Sequence, residues 1–112
     1  MTKLEGGMIA GVTLALALAT LVGASKTGQA GSAEAAMKKS DCFTCHQVEG
    51  KLTGPAFKDI AKKYKGDPKA PAMLVQKIKA GGSGNWGTVP MAAHPGLKDQ
   101  QVQAMVQWIL AR

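Results

Sequence analysis

Cys42-Phe43-Thr44-Cys45-His46 is the stretch of this 112-residue chain on which the rest of the reading turns. It reads C-x-x-C-H, the attachment signature of a c-type haem. The spacing has a chemical reason. Two thiols must add to two vinyl groups on one edge of a porphyrin, and two intervening residues let both sulfurs reach. A histidine directly after the second cysteine then falls under the ring, where its imidazole can take an axial position on the iron. Cys42 and Cys45 are the only cysteines in the chain.

Three other uses of two cysteines are weaker. A structural zinc site usually draws on four Cys/His ligands, and here one Cys pair is joined only by the adjacent His46 and the distant His94. A thioredoxin-like pair should follow a strand in a βαβ pattern, and no β-rich run precedes Cys42. A single disulfide between the two cysteines is the third.

Length and composition agree with a cofactor-filled domain. With a leader of about thirty residues set aside, about eighty remain, and a chain that short usually needs a staple to hold a core. Aromatic content is only 4%, so something other than Phe and Trp is expected to fill the interior. A covalently held porphyrin would do so. The formal charge is +7, and setting aside residues 1–30, with two lysines and one glutamate, leaves +6. The lysines are scattered and not interleaved with aromatics, which argues against nucleic acid. An acidic protein is the partner that such a surface would steer.

Ahead of the motif, Met8 to Ala24 is an unbroken apolar run preceded by Lys3, the outline of a secretory signal. Residues 1–30 are therefore read as a signal peptide and 31–112 as the haem domain. Cleavage fits after Ala24 (Val-Gly-Ala) or after Ala30 (Gly-Gln-Ala). The competing reading is an uncleaved membrane anchor, although seventeen residues is at the lower limit for a span. Both readings place the domain outside the cytoplasmic membrane, in the periplasm when the leader is removed.

Helical patterning dominates the chain beyond the leader. Residues 25–33 read as a flexible entry, and Ala33 to about Asp41 as a first helix with Glu34 in its electropositive first turn. Phe57, Ile60, Ala61 and Tyr64 recur at i, i+3, i+4 and i+7, an amphipathic helix ended by Gly66-Asp67-Pro68. Pro71 suits the first turn of a third helix, with Leu74, Val75 and Ile78 inward and Gly81-Gly82 as its stop. Residues 81–97 have no regular period and carry Trp86, Met91 and His94, which favours a functional loop. A last helix from about Asp99 to Ala111 presents Val102, Met105, Val106 and Ile109 on one stripe, with Trp108 beside it. No strands are expected, so the fold class is all-α, about four helices wrapped around one flat cofactor. Met37, Met73 and Met105 lie on helical faces and read as core, whereas Met91 stands in the irregular loop beside Pro90.

Together these residues resemble the small bacterial class I cytochromes c, specifically the cytochrome c-551/c-552 (c8) group, over about residues 34–112. The resemblance rests on Cys42 to His46, on Gly54-Pro55-Ala56, on Gly84-Asn85-Trp86-Gly87-Thr88-Val89-Pro90-Met91 and on Trp108-Ile109-Leu110. It implies one covalent haem c with its iron, thioethers from Cys42 and Cys45, His46 as the proximal ligand and Met91 as the distal one. It further implies that the Pro55 carbonyl orients His46, that Trp86 hydrogen-bonds a haem propionate, and that Lys77 replaces an arginine near a propionate without its planar fork. Two departures stand out: His94 takes the place of an asparagine that touches the methionine sulfur, and Met37 replaces an aromatic packed on the last helix.

The function this implies is a monomeric periplasmic electron carrier with no enzymatic activity. Its redox partners would carry acidic docking patches, with nitrite reductase, a terminal oxidase or a quinol-oxidising complex of a respiratory or denitrification chain as family-level candidates. Two alternatives are a membrane-tethered haem subunit of a larger respiratory complex, and a haem enzyme or sensor with a labile distal ligand. His94 is the one rival to Met91 for the iron.

Overall fold

The computed structural model describes residues 26–112 and the isolated positions 6, 7, 11 and 15, with the backbone alone for residues 26–30. The apolar run of the leader and both expected cleavage points lie outside the fully described residues. Among the described residues five helices and one small hairpin succeed one another in chain order: α1 (Lys26–Lys39), α2 (Cys42–Cys45), α3 (Phe57–Lys63), α4 (Ala70–Ala80), β1 (Gly82–Gly84), β2 (Gly87–Met91) and α5 (Asp99–Leu110). Among the described residues no helix is long and apolar enough to cross a membrane.

α5 is the hub. It packs against α1, α3 and α4, and its expected stripe is buried throughout: Val102, Met105, Val106 and Ile109, with Trp108 joining them. Opposite it lie Ala33 and Met37 of α1, Phe57 and Ile60 of α3, and Val75 and Ile78 of α4. Met37 is only 1% exposed, so an unbranched thioether fills the seam between first and last helices and adapts to the space there. Burying a side chain of this size contributes about 1.5–3 kcal/mol. Arg112 closes the far end of α5, its guanidinium 4.1 Å from the Trp108 ring centroid and its Nε–H donating to the Trp108 carbonyl.

Several features differ from the sequence-based expectation. α1 begins at Lys26, inside the stretch read as a flexible entry. No proline interrupts residues 26–33, so a helix anchored by Ala33 and Met37 extends backwards, each added residue gaining a hydrogen bond without a new nucleus. α2 is a separate single turn, split from α1 by Asp41 at φ 62°. Met73 is exposed rather than core, because α4 turns only its Val75 and Ile78 edge to α5. The fourth difference is the hairpin. β1 and β2 pair antiparallel with Gly84 opposite Gly87, leaving Asn85 and Trp86 as a two-residue turn. Gly82, Gly84 and Gly87 have φ of 114°, 115° and 113°, a region that glycine alone enters freely. Every residue from Gly82 to Pro90 is exposed, so no alternating apolar pattern announces these strands.

Tyr64 and Leu74, expected inside, are only half-buried. Both face a cavity between the α2 side and the hairpin.

Candidate functional site

That cavity has a volume of about 760 Å³, within the range of small-molecule and cofactor pockets. Its floor is apolar, with Ile60, Leu74, Ile78, Met105 and Ile109 contributed by α3, α4 and α5, while Cys42, Cys45 and His46 stand along one wall and Met91 on the lining as well.

The cysteine wall is built by α2. One helical turn places Cys42 and Cys45 at its two ends, and the His46 N–H closes it by donating to the Cys42 carbonyl at 2.9 Å. Neither cysteine is in a disulfide; Cys42 is half-buried and Cys45 exposed. Burial pushes the Cys42 thiol up from its ordinary value, partly opposed by a backbone hydrogen bond and reinforced by Asp41. No group of three or more His, Cys, Asp or Glu side chains among the described residues is arranged to hold a bare metal ion, so Cys42, Cys45 and His46 do not converge as zinc ligands would.

His46 is tightly oriented. Its Nδ1 lies 2.7 Å from the Pro55 carbonyl, which can only accept, so Nδ1 carries the proton and Nε2 keeps its lone pair free for a metal. The ring stacks on Phe57 at 5.3 Å between centroids and 24° between planes. Phe57 in turn meets Phe43 and Trp108 edge-on, each at 5.5 Å. The Gly-Pro turn is tied back by Gly54 N–H donating to the Cys45 carbonyl at 2.7 Å.

Gly54 is a site residue whose role the sequence did not disclose. A Cβ added there would lie 2.5 Å from Cε1 of His46 and 2.8 Å from its Nδ1, closer than any real contact. A side chain at position 54 would displace the imidazole. Gly81 plays a similar part below the hairpin: a Cβ there would lie 2.5 Å from the Met91 carbonyl oxygen and 2.8 Å from the Ala93 nitrogen. Its absence lets the backbone after β2 lie against the end of α4, at a φ of 68°.

The remaining expected residues also border the cavity. Met91 ends β2 and is half-buried. Trp86 occupies the hairpin turn, 41% exposed, with the Lys63 ammonium 4.5 Å from its ring centroid and donating to the Asn85 carbonyl at 3.0 Å. Lys77 is half-buried on the lining near Gly82. His94 is half-buried, and its Nε2 lies 3.1 Å from the Ser40 carbonyl.

These residues fit a covalently attached haem. The cavity is apolar and large enough, the two thiols are unpaired beside it, and the oriented imidazole presents a free Nε2. A helical shell around a C-x-x-C-H turn with such a cavity is the architecture of a class I c-type cytochrome. The chain belongs to the cytochrome c family, which it matches over residues 29–112.

It is similar to cytochrome c-551 of Allochromatium vinosum, 49% identical over 73 residues that span 65% of this chain and 78% of that protein. It also resembles cytochrome c-552 of Nitrosomonas europaea, 48% identical over 65% of this chain and 71% of the relative. The crystal structure of the wild-type Nitrosomonas europaea protein superposes with a TM-score of 0.66 at 45% identity, covering 70% of this chain and 96% of that one. Family members bind one covalent haem c with its iron, and electron carriage is the function the family implies.

Proposed function

We propose that this protein is a periplasmic one-electron carrier in which Cys42 and Cys45 hold the haem and His46 and Met91 bind its iron. The observation that carries the reading is the His46 ring, held by the Pro55 carbonyl with Nε2 free, in a cavity that Met91 also lines. Haem c supplies the Fe(II)/Fe(III) couple. Each protein group then has a definite part. The Pro55 carbonyl fixes the imidazole's tautomer and strengthens its basicity. The Met91 thioether favours the ferrous state over what a second imidazole would give, and the apolar floor penalises the extra charge of ferric iron. His46 and Met91 together would hold the iron and leave it no position for a substrate, which suits a carrier that transforms nothing.

The cavity mouth supports the partner class. Lys51 and Lys77 line it, Lys63 stands over Trp86, and Val89 on the same hairpin is exposed. An apolar contact rimmed by lysines suits brief, salt-dependent encounters with acidic patches on redox proteins. Residues 1–30 are proposed as the export signal. Ala33 is the first buried side chain among those described, so a start at Ser25 or at Gly31 leaves every described core contact in place. The later cut falls within α1 and removes its first turn.

Visible spectra of the purified protein test the ligand set. A low-spin ferric form with a sulfur-to-iron charge-transfer band at neutral pH is expected; its absence would exclude Met91 and favour a labile distal side. Intact mass tests the rest, since one haem added and residues 1–24 or 1–30 lost is the expected result. A retained leader would make the protein membrane-tethered.

A further inference from the structure

After β2 ends at Met91, seven residues lead to α5 without regular structure. Ala92, Ala93, Pro95 and Gly96 are exposed, and only His94 and Leu97 turn inward. His94 makes two long-range attachments. Its backbone N–H donates to the Ile78 and Lys79 carbonyls at 3.1 and 3.2 Å, groups in the last turn of α4 that lack helical partners. Its side chain reaches Ser40, 54 positions earlier, with Nε2 at 3.1 Å from the carbonyl. Ser40 is the first residue after α1 and stands two residues before Cys42. The left-handed Asp41 and the Ser40 N–H bonds to the Ala36 and Met37 carbonyls hold it there.

The tautomer is set by the partners. A carbonyl accepts only, so Nε2 must carry the proton. Nδ1 is buried with no hydrogen-bond partner. A proton on Nδ1 instead would bury an unpaired donor and set the Nε2 lone pair against the Ser40 oxygen, both unfavourable.

We propose that His94 is a positioning residue for Met91: its Nε2–H clasps the segment after Met91 to the Ser40 carbonyl, and so holds Met91 against replacement by outside ligands. The clasp joins the chain just after one proposed axial ligand to the chain just before the haem-attachment turn. Sliding or lifting of the Met91 segment must break it. The inference rests on Met91 being the distal ligand.

The test is titration of the ferric holoprotein with imidazole, which competes with Met91 for iron, in the wild type, His94→Leu and His94→Gln. Leucine keeps the bulk without a donor, while the glutamine amide N–H₂ has nearly the reach of Nε2. His94→Leu should bind imidazole about tenfold more tightly than wild type, the factor that leaving a half-buried acceptor without its hydrogen bond implies. His94→Gln should stay within about threefold of wild type. An unchanged His94→Leu, or a His94→Gln that behaves like His94→Leu, would overturn the proposal. A readout on the wild type does not depend on the variants folding. Nitrogen-15 NMR of the His94 ring should show a slowly exchanging Nε2–H and an unprotonated Nδ1; the Nδ1–H tautomer overturns the clasp. The two readings fail separately. A ferric spectrum without the sulfur band removes Met91 ligation and the holding role with it, whereas the band present with the wrong tautomer removes the clasp alone.

Discussion

Replacing Gly54 by alanine should damage the site out of proportion to the one carbon it adds. The new Cβ would lie 2.5 Å from Cε1 of His46 and within 3.0 Å of both ring nitrogens. Relief by moving the backbone is opposed by the Gly54 N–H bond to the Cys45 carbonyl at 2.7 Å, and relief by moving the ring is opposed by Phe57, stacked on it at 5.3 Å. Overpacking of this kind costs about 1–3 kcal/mol, and losing the His46–Pro55 hydrogen bond adds about 1 kcal/mol. Together they lower the melting temperature of a domain this size by about 8–32 °C. The redox effect has a definite sign. Without the Pro55 carbonyl the imidazole is a weaker base, ferric iron is less stabilised, and the potential rises. A change of about 0.5–1 kcal/mol corresponds to about 20–40 mV for one electron. Thermal melts and voltammetry of the holoprotein measure both. Gly31→Ala is the control: nothing lies within 4 Å of a Cβ there, so it should leave the potential unmoved and cost no stability. A Gly54→Ala protein melting within about 2 °C of wild type, with its potential unmoved, would refute the steric reasoning.

Met91→His should lower the potential while leaving the circular dichroism of the helices largely unchanged; an unmoved potential would count against Met91 as a ligand. Lys63→Gln removes the cation over Trp86 and the bond to the Asn85 carbonyl, and hydrogen exchange of the hairpin amides should quicken about two- to fivefold. Exchange equal to wild type would mean that Lys63 does not restrain the turn. Glu49 is held below its ordinary carboxylate range by the Lys58 hydrogen bond and charge. Because the folded value is the lower one, its small contribution to stability is present above the unfolded value of 4.5 and is lost as pH falls through the folded value. Carboxyl NMR titration should show the low value, and Lys58→Met should return it to normal.

The parts of this molecule that the sequence announces are those governed by a local period or a fixed chemical spacing. Phe57, Ile60 and Ala61 recur at helical intervals and are buried together, and Val102 to Ile109 do the same on α5. The C-x-x-C-H spacing and the Gly-Pro pair mark the cavity wall for the same reason. Other features depend on relations that no window of sequence contains. The hairpin is exposed from Gly82 to Pro90 and built on glycines at positive φ, so it has no apolar alternation to signal strands, and Thr88 and Val89 alone, followed by Pro90, are too short a branched run to do so. Gly54 shows in sequence only that a side chain is missing, and the ring filling that space becomes visible once His46 has turned onto the Pro55 carbonyl. His94 and Ser40 are joined across 54 positions, a distance at which one histidine in a loop carries no directional information. Met73 fits a helical stripe on paper, yet α4 has only one edge to bury.

The place of α5 in the chain has a consequence for biogenesis. Every helix that it packs against precedes it, and the contact between α1 and α5 joins the two ends of the domain. Closing so long a loop carries an entropic penalty that few local contacts repay in advance. A polypeptide emerging amino end first would therefore leave the Cys42–His46 turn accessible until its carboxyl segment arrives. The interval between those two events would be the window for attaching the cofactor, and the arrival of α5 would narrow it.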